Sequence, residues 1–114
     1  MAAMSTVLEL QARQGHSSTY LVPATHTAVK PNVVLQRRKV PTASQRVLED
    51  TIVVSDATED ANGVILDSRV SLTVVMRRDK NSISADRAAA LTRFRDIVAG
   101  DEFADVWNNQ HNLA

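Results

Sequence analysis

Between residues 69 and 77 the chain alternates. Val70, Leu72, Val74 and Met76 occupy every second position, and Arg69, Ser71, Thr73, Val75 and Arg77 stand between them. Neighbouring side chains of a strand point to opposite sides of a sheet. The pattern therefore predicts a strand over residues 64–78 with one covered aliphatic face and one mostly polar face. The period changes after Asn81. Ala88, Leu91, Phe94 and Val98 recur at three- and four-residue spacing, which draws one apolar stripe along a helix. A long alternating strand joined to such a helix by residues 79–84 restricts the chain to mixed architectures.

The remaining segments support α+β, with the strands in one block and the helices in another. Residues 5–11 and 18–22 suit strands, a turn is expected over 13–16 around Gly15, and Pro23 ends the second strand. This predicts an N-terminal β-hairpin. Pro31 and Pro41 bound a strand over 33–40, and residues 46–55 make another. Residues 56–63 form an acidic loop ending in glycine. Ser82 or Ser84 is expected to cap the first helix, with Asp86 in its positive first turn. Gly100 is expected to end that helix, and Asp101 to cap a second one carrying Phe103, Val106 and Trp107. The single domain thus reads as a hairpin (1–23), an antiparallel main sheet (24–81), a helix pair (82–108) and a polar tail (109–114). A helix this apolar must cover something: its own sheet, or that of a neighbour.

Composition narrows the function. Cysteine is absent, which removes disulfides, thiolate catalysis and cysteine-bound zinc. His16, His26 and His111 are scattered without ligand spacing, and no metal or cofactor site is expected. No glycine-rich phosphate loop or nucleophile elbow is present, so no enzymatic role is expected. The apolar runs are too short to span a bilayer, and the start lacks a signal-peptide pattern. The reading is a soluble protein with no membrane partner. The 13 basic and 13 acidic side chains cancel, but they are segregated. Lys30, Arg37, Arg38, Lys39 and Arg46 occur with no acid between them, whereas residues 56–60 carry only acids. One surface can then attract phosphate while another repels it. Tyr20, Phe94, Phe103 and Trp107 are the only aromatics, so a single chain has modest burial to gain and help from a partner subunit is expected.

In this order of elements, and above all in residues 64–77 (Val-Ile-Leu-Asp-Ser-Arg-Val-Ser-Leu-Thr-Val-Val-Met-Arg) and 91–107 (Leu-Thr-Arg-Phe-Arg-Asp-Ile-Val-Ala-Gly-Asp-Glu-Phe-Ala-Asp-Val-Trp), the chain resembles the coat proteins of single-stranded RNA bacteriophages, the levivirus-like group. The resemblance implies a homodimer whose two sheets join edge to edge, with the helices of each chain interlocking over the other. It further implies an icosahedral shell assembled in the bacterial host cytoplasm, with the open sheet face holding the RNA genome inside the virion. A grip on one RNA hairpin operator, repressing translation, comes with the same likeness. The chain is shorter than the best-known members, so individual loop contacts need not carry over.

Under that resemblance Gln36, Arg38, Thr51, Val53, Arg69, Ser71 and Thr73 are candidate RNA contacts, the cations for phosphate and the hydroxyls and amide for hydrogen bonds. The plainer reading makes them the solvated side of a half-buried sheet, and Glu49 weighs against a uniformly RNA-friendly surface. Arg37, Arg38 and Lys39 are consecutive and cannot all line one face. Leu91, Phe94, Val98, Phe103 and Trp107 are candidates for the dimer interface, where core and interface merge. Asp56, Ala57, Glu59, Asp60 and Gly63 are candidates for an inter-dimer loop; their spacing lacks the ligand pattern of a calcium-binding helix-loop-helix. Two rival readings share these features: a small dimeric regulator that reads nucleic acid with its sheet, and a small α+β enzyme or ligand-binding domain, for which no convergent polar set is visible.

Overall fold

The N-terminal hairpin turns at Gly15 as the sequence predicts, but its strands are shifted. They are β1 (Glu9–Gln14) and β2 (Ser17–Leu21) rather than 5–11 and 18–22. The two-residue connection needs a positive φ at its first position, and Gly15 provides +56° without a Cβ to clash. This turn sets Gln14 opposite Ser17 and Arg13 opposite Ser18; an irregularity between Leu10 and Ala12 then brings Leu10 opposite Tyr20.

The computed structural model describes residues 4–39, 44 and 46–114. β3 (Asn32–Lys39), β4 (Val47–Asp56) and β5 (Val70–Asp79) follow the hairpin. The expected close of β3 at Val40 and Pro41 lies outside the described residues. Among the described residues the strands form one antiparallel sheet in the order β1-β2-β3-β4-β5. Each strand pairs with its neighbour in sequence, the arrangement that short connections favour.

The expectation of one strand over 64–78 is corrected: β5 begins at Val70. The cause is a local turn upstream. The Asp60 carboxylate oxygen Oδ1 accepts the backbone N–H groups of Asn62 at 2.8 Å and Val64 at 3.0 Å, an Asx turn. Gly63 adopts φ +79° to reverse the chain. Glu59 then bridges Ile65, and the Leu66 N–H donates to the Thr58 carbonyl at 2.8 Å. Val64, Ile65 and Leu66 therefore belong to a narrow loop and leave the sheet. Asp56, expected within the loop, is instead the last residue of β4 and faces Val70. Ala57 opens the loop proper, donating its N–H to the Pro31 carbonyl at 2.9 Å, while Lys30 pairs with Glu59 at 3.7 Å.

The chain divides into two units, Met1–Asp79 and Lys80–Ala114. The second holds α1 (Ser84–Ala99) and α2 (Asp101–Asn109). Neither predicted cap forms. Ile83 and Gly100 occupy the N-cap positions, with no side-chain hydrogen bond at either. The Arg87 guanidinium bonds the Ser82 carbonyl and hydroxyl instead. Gly100 does end α1, though with φ −77°, so glycine's left-handed freedom is unused there. The left-handed cap is Gln110 at φ 55°, whose N–H reaches the Val106 carbonyl at 3.0 Å, closing the open end of α2.

Burial is slight throughout. Ala57, 6% exposed, is the one buried hydrophobic residue among those described. Within Met1–Asp79 the sheet is a single layer, and no residue of α1 or α2 is buried. The helix over the predicted stripe forms, but Arg87 and Arg95 share the side of Leu91, Phe94 and Val98, so α1 is hardly one-sided; Phe94 remains 48% and Trp107 53% exposed. Stable domains pack at least two layers around shared apolar surface, and the sheet unit by itself has one.

Candidate nucleic-acid interface

Directly opposed residues of an antiparallel pair share a face, so the registers sort the sheet into two surfaces. One carries Val34 on β3, Ile52 and Val54 on β4, and Leu72, Val74 and Met76 on β5, aligned as Val34–Val54–Leu72, Ile52–Val74 and Asp50–Met76. This is the aliphatic face. The other carries three rows: Ser17–Arg37–Thr51–Val75, Thr19–Leu35–Val53–Thr73, and Leu21–Val33–Ser55–Ser71. Its hydroxyl groups come from β2, β4 and β5, and it is called the hydroxyl face.

The candidate RNA set splits between them. Thr51, Val53, Ser71 and Thr73 gather on the hydroxyl face, with Val53 opposite Thr73. Gln36 and Arg38 lie on the other side, opposite Ile52 and Asp50. Arg69 precedes β5 and stands outside the sheet. Of the basic run, Arg37 and Lys39 are on the hydroxyl face and Arg38 on the aliphatic one, the division that strand geometry requires.

The hydroxyl face ends in a charged row, Lys39–Glu49–Arg77. The Arg77 Nε lies 2.5 Å from Glu49 Oε1, so the acid that counted against RNA is neutralised in place. A cavity of about 300 Å³ opens there, lined by Lys39, Arg46, Val47, Glu49 and Arg77. Three cations against one acid make it an anion-attracting end to a hydroxyl-lined surface. Lys39 and Arg46, which the candidate set omits, line this cavity; their sequence signal is the acid-free basic run.

The aliphatic face has a polar corner on β1–β3. A cavity of about 280 Å³ is lined by Arg13, Gly15, His16, Ser18, Tyr20, Gln36 and Arg38. The Arg13 Nε donates to Ser18 Oγ at 3.1 Å, and the Tyr20 hydroxyl donates to Gln36 Oε1 at 3.4 Å. Hydrogen bonding from Ser18 and then Arg13 holds the Tyr20 phenol below its ordinary pKa, because both favour the phenolate. Arg38 and Arg78 each approach Asp50 at 3.5 Å; no hydrogen bond reaches the enclosed Asp50 Oδ1, so its compensation is coulombic.

The candidate inter-dimer residues fall into one surface element. Ala57, Glu59, Asp60 and Gly63 lie in the loop between β4 and β5, and Asp56 at its root. No group of three or more metal-ligating side chains forms among the described residues, and none of their helices is long and apolar enough to cross a membrane.

No family model matches the sequence, and no curated protein matches it. Solved structures do. A chain from the virus-like particle of Wenzhou levi-like virus 4 superposes with a TM-score of 0.84 at 14% identity, covering 99% of this chain and 82% of that one. A chain from the virus-like particle of bacteriophage GQ-907 gives 0.76 at 9% identity, covering 98% and 87%. One from the virus-like particle of bacteriophage AVE019 gives 0.73 at 13% identity, covering 92% and 86%. Identities this low with superpositions this complete establish the architecture: the chain has the fold of the proteins that build these levi-like virus and bacteriophage particles.

Proposed function

We propose that the chain is the coat subunit of a single-stranded RNA bacteriophage, a structural protein of the virion with no enzymatic role. The observation that carries this reading is the superposition along 99% of the chain on a levi-like particle protein. The physics of the fold supports it. A one-layer sheet with an aliphatic face, and helices whose Leu91, Phe94 and Val98 are each at least 40% exposed, gain their main hydrophobic stabilisation only on association.

The edges of the sheet supply the mode of association. β1 carries the irregularity between Leu10 and Ala12, a device that blunts an edge against pairing. β5 runs ten residues without one. Two copies therefore join along β5, continuing one sheet across the dimer. Their helices clad the aliphatic faces, with Leu91, Phe94, Val98, Phe103 and Trp107 at the interface. The loop between β4 and β5 makes the contacts between dimers in an icosahedral shell. The hydroxyl face turns inward, where Thr51, Ser71 and Thr73 meet RNA and the Lys39, Arg46 and Arg77 end attracts phosphate. In this reading Gln36 and Arg38, which share the face of Ile52 and Asp50, lie under the helices and do not meet RNA. Translational repression through an RNA hairpin would use the same inner face.

Electron microscopy and nuclease treatment of the purified recombinant protein test the reading. The expected result is uniform closed particles holding nuclease-protected RNA. A dimer that never assembles, under any salt or concentration, would favour the rival reading of a sheet-based nucleic-acid regulator.

A further inference from the structure

Along β5 the sheet itself constrains how two copies can meet. β5 pairs with β4 residue for residue from Val70 to Asp79, without an irregularity. Its alternation is therefore unbroken. Val70, Leu72, Val74, Met76 and Arg78 take the aliphatic side, and Ser71, Thr73, Val75, Arg77 and Asp79 the hydroxyl side. A parallel join would need a two-fold axis along the strands, which sets the aliphatic face of one copy beside the hydroxyl face of the other. An antiparallel join has its axis perpendicular to the sheet and continues each face across the dimer. Opposed residues of an antiparallel pair share a face, so even-numbered residues of β5 meet even-numbered ones. The axis must then run through a single position, whose residue meets its own copy.

Charge and apolar match choose that position. With the axis at Arg77 or Arg78, a guanidinium opposes itself, and like charges directly opposite destabilise a strand pair. With the axis at Met76 or Val75, Arg78 falls opposite the partner's Val74 or the partner's Leu72, inside the aliphatic field. At Thr73, Arg77 comes alongside the partner's Arg69 and Asp79 alongside the partner's Asp67, and pairing shrinks to Val70–Met76. Positions nearer Val70 shorten it further. At Val74 these conflicts vanish. Leu72 opposes the partner's Met76, Val74 its own copy and Thr73 the partner's Val75. Arg78 stays at the margin beside the partner's Val70, Asp79 comes alongside the partner's Arg69, and every residue from Val70 to Arg78 is paired.

We infer that the dimer axis passes through Val74 and that the two copies share one nucleic-acid surface across it. This rests on the dimer proposed above and adds its register. Within one chain, Ser55 and Ser71 lie at one end of the β4–β5 ladder and the Glu49–Arg77 pair near the other. In the Val74 register Ser71 opposes the partner's Arg77. The row Leu21–Val33–Ser55–Ser71 runs on into the partner's Arg77, the partner's Glu49 and the partner's Lys39. The second copy thus sets beside Ser71 the cation that its own chain holds at the far end of the strand. A strand of RNA laid along this row meets hydroxyl groups of one copy and positive charge of the other.

Cysteine pairing tests the register, because the chain contains no cysteine of its own. Directly opposed residues come close enough for a disulfide, whereas residues offset by two positions, at about 7–8 Å, do not. Val74→Cys is expected to give disulfide-linked homodimers under oxidant, read on a non-reducing gel. Thr73→Cys and Val75→Cys should give none alone and a linked heterodimer when co-expressed, a pair that answers even where Val74→Cys fails to fold. Ser71→Cys co-expressed with Arg77→Cys should link likewise. A single-stranded RNA oligonucleotide should slow that last linkage and spare the one at Val74, which lies on the other face. Linkage of Thr73→Cys or Val75→Cys to its own copy would move the axis and overturn the inference. Absence of linkage in all of these variants, in a protein that still sediments as a dimer, would overturn it too. Linkage of Ser71→Cys to Arg77→Cys at an unchanged rate with RNA present would remove RNA from the shared row. A parent protein that sediments as a monomer at every concentration would instead sink the dimer reading itself.

Discussion

Tyr20 is the sole tyrosine of the chain, so ultraviolet titration of phenolate reports this one residue. Its ionisation should occur at lower pH than that of free tyrosine, and Arg13→Ala should move it back upward, since Arg13 is one cause of the shift. A native pKa below the unfolded one favours the ionised form in the fold. The stabilisation is therefore absent at neutral pH, grows as pH rises through the native pKa and is complete above the unfolded value. Unaltered titration in Arg13→Ala would contradict the hydrogen-bonded corner. The turn behind this corner was legible at Gly15, but Arg13 was read as part of it; β1 instead extends to Gln14 and sets Arg13 opposite Ser18. The irregularity at Leu10 and Ala12, which brings Leu10 rather than Gln11 opposite Tyr20, has no comparable mark in the sequence. Gln36 and Arg38 show a different limit. Alternation tells that they share a side, but which side of the neighbouring strand they join depends on register, and a slip of one residue exchanges the faces.

At the scale of elements, the strongest periodicities survived and the boundaries moved. β5 keeps its alternation, but the Asp60 turn removes 64–69 from the strand, because side-chain capture of two backbone N–H groups overrides the β preference of Val64 and Ile65. Helix α1 formed where it was read, but Arg87 and Arg95 interrupt its apolar side, and periodicity reports such a side without its cover. That difference gives a measurable consequence. Phe94 is 48% exposed in the single chain, so Phe94→Ala should leave the helical content of the chain intact and weaken association instead. A loss of about 2–4 kcal/mol in dimer stability is expected, read as a thermal midpoint that falls more steeply on dilution than the parent's. An unchanged concentration dependence would remove Phe94 from the interface.

For the molecule as a whole, zero net charge conceals a division of labour, with cations at the end of the hydroxyl face and acids along α2 and the loop after β4. In the proposed RNA-binding role, the logarithm of RNA affinity should therefore fall linearly with the logarithm of salt concentration. Lys39→Ala and Arg46→Ala together should flatten that slope by about 1–2 in log–log units, measured by filter binding on dimers held apart at low concentration. Thr51→Ala with Thr73→Ala should weaken binding with little change of slope, since hydroxyls neutralise no phosphate; an equal change in slope for both pairs would refute the assignment. The loop closed by Asp60 has one more implication. Because its shape is set by hydrogen bonds inside the chain, joining dimers in the proposed shell would not have to freeze a floppy segment at every contact. The entropy of ordering it is lost once, when each copy folds, and growth of such a shell would meet parts that are already cut to fit.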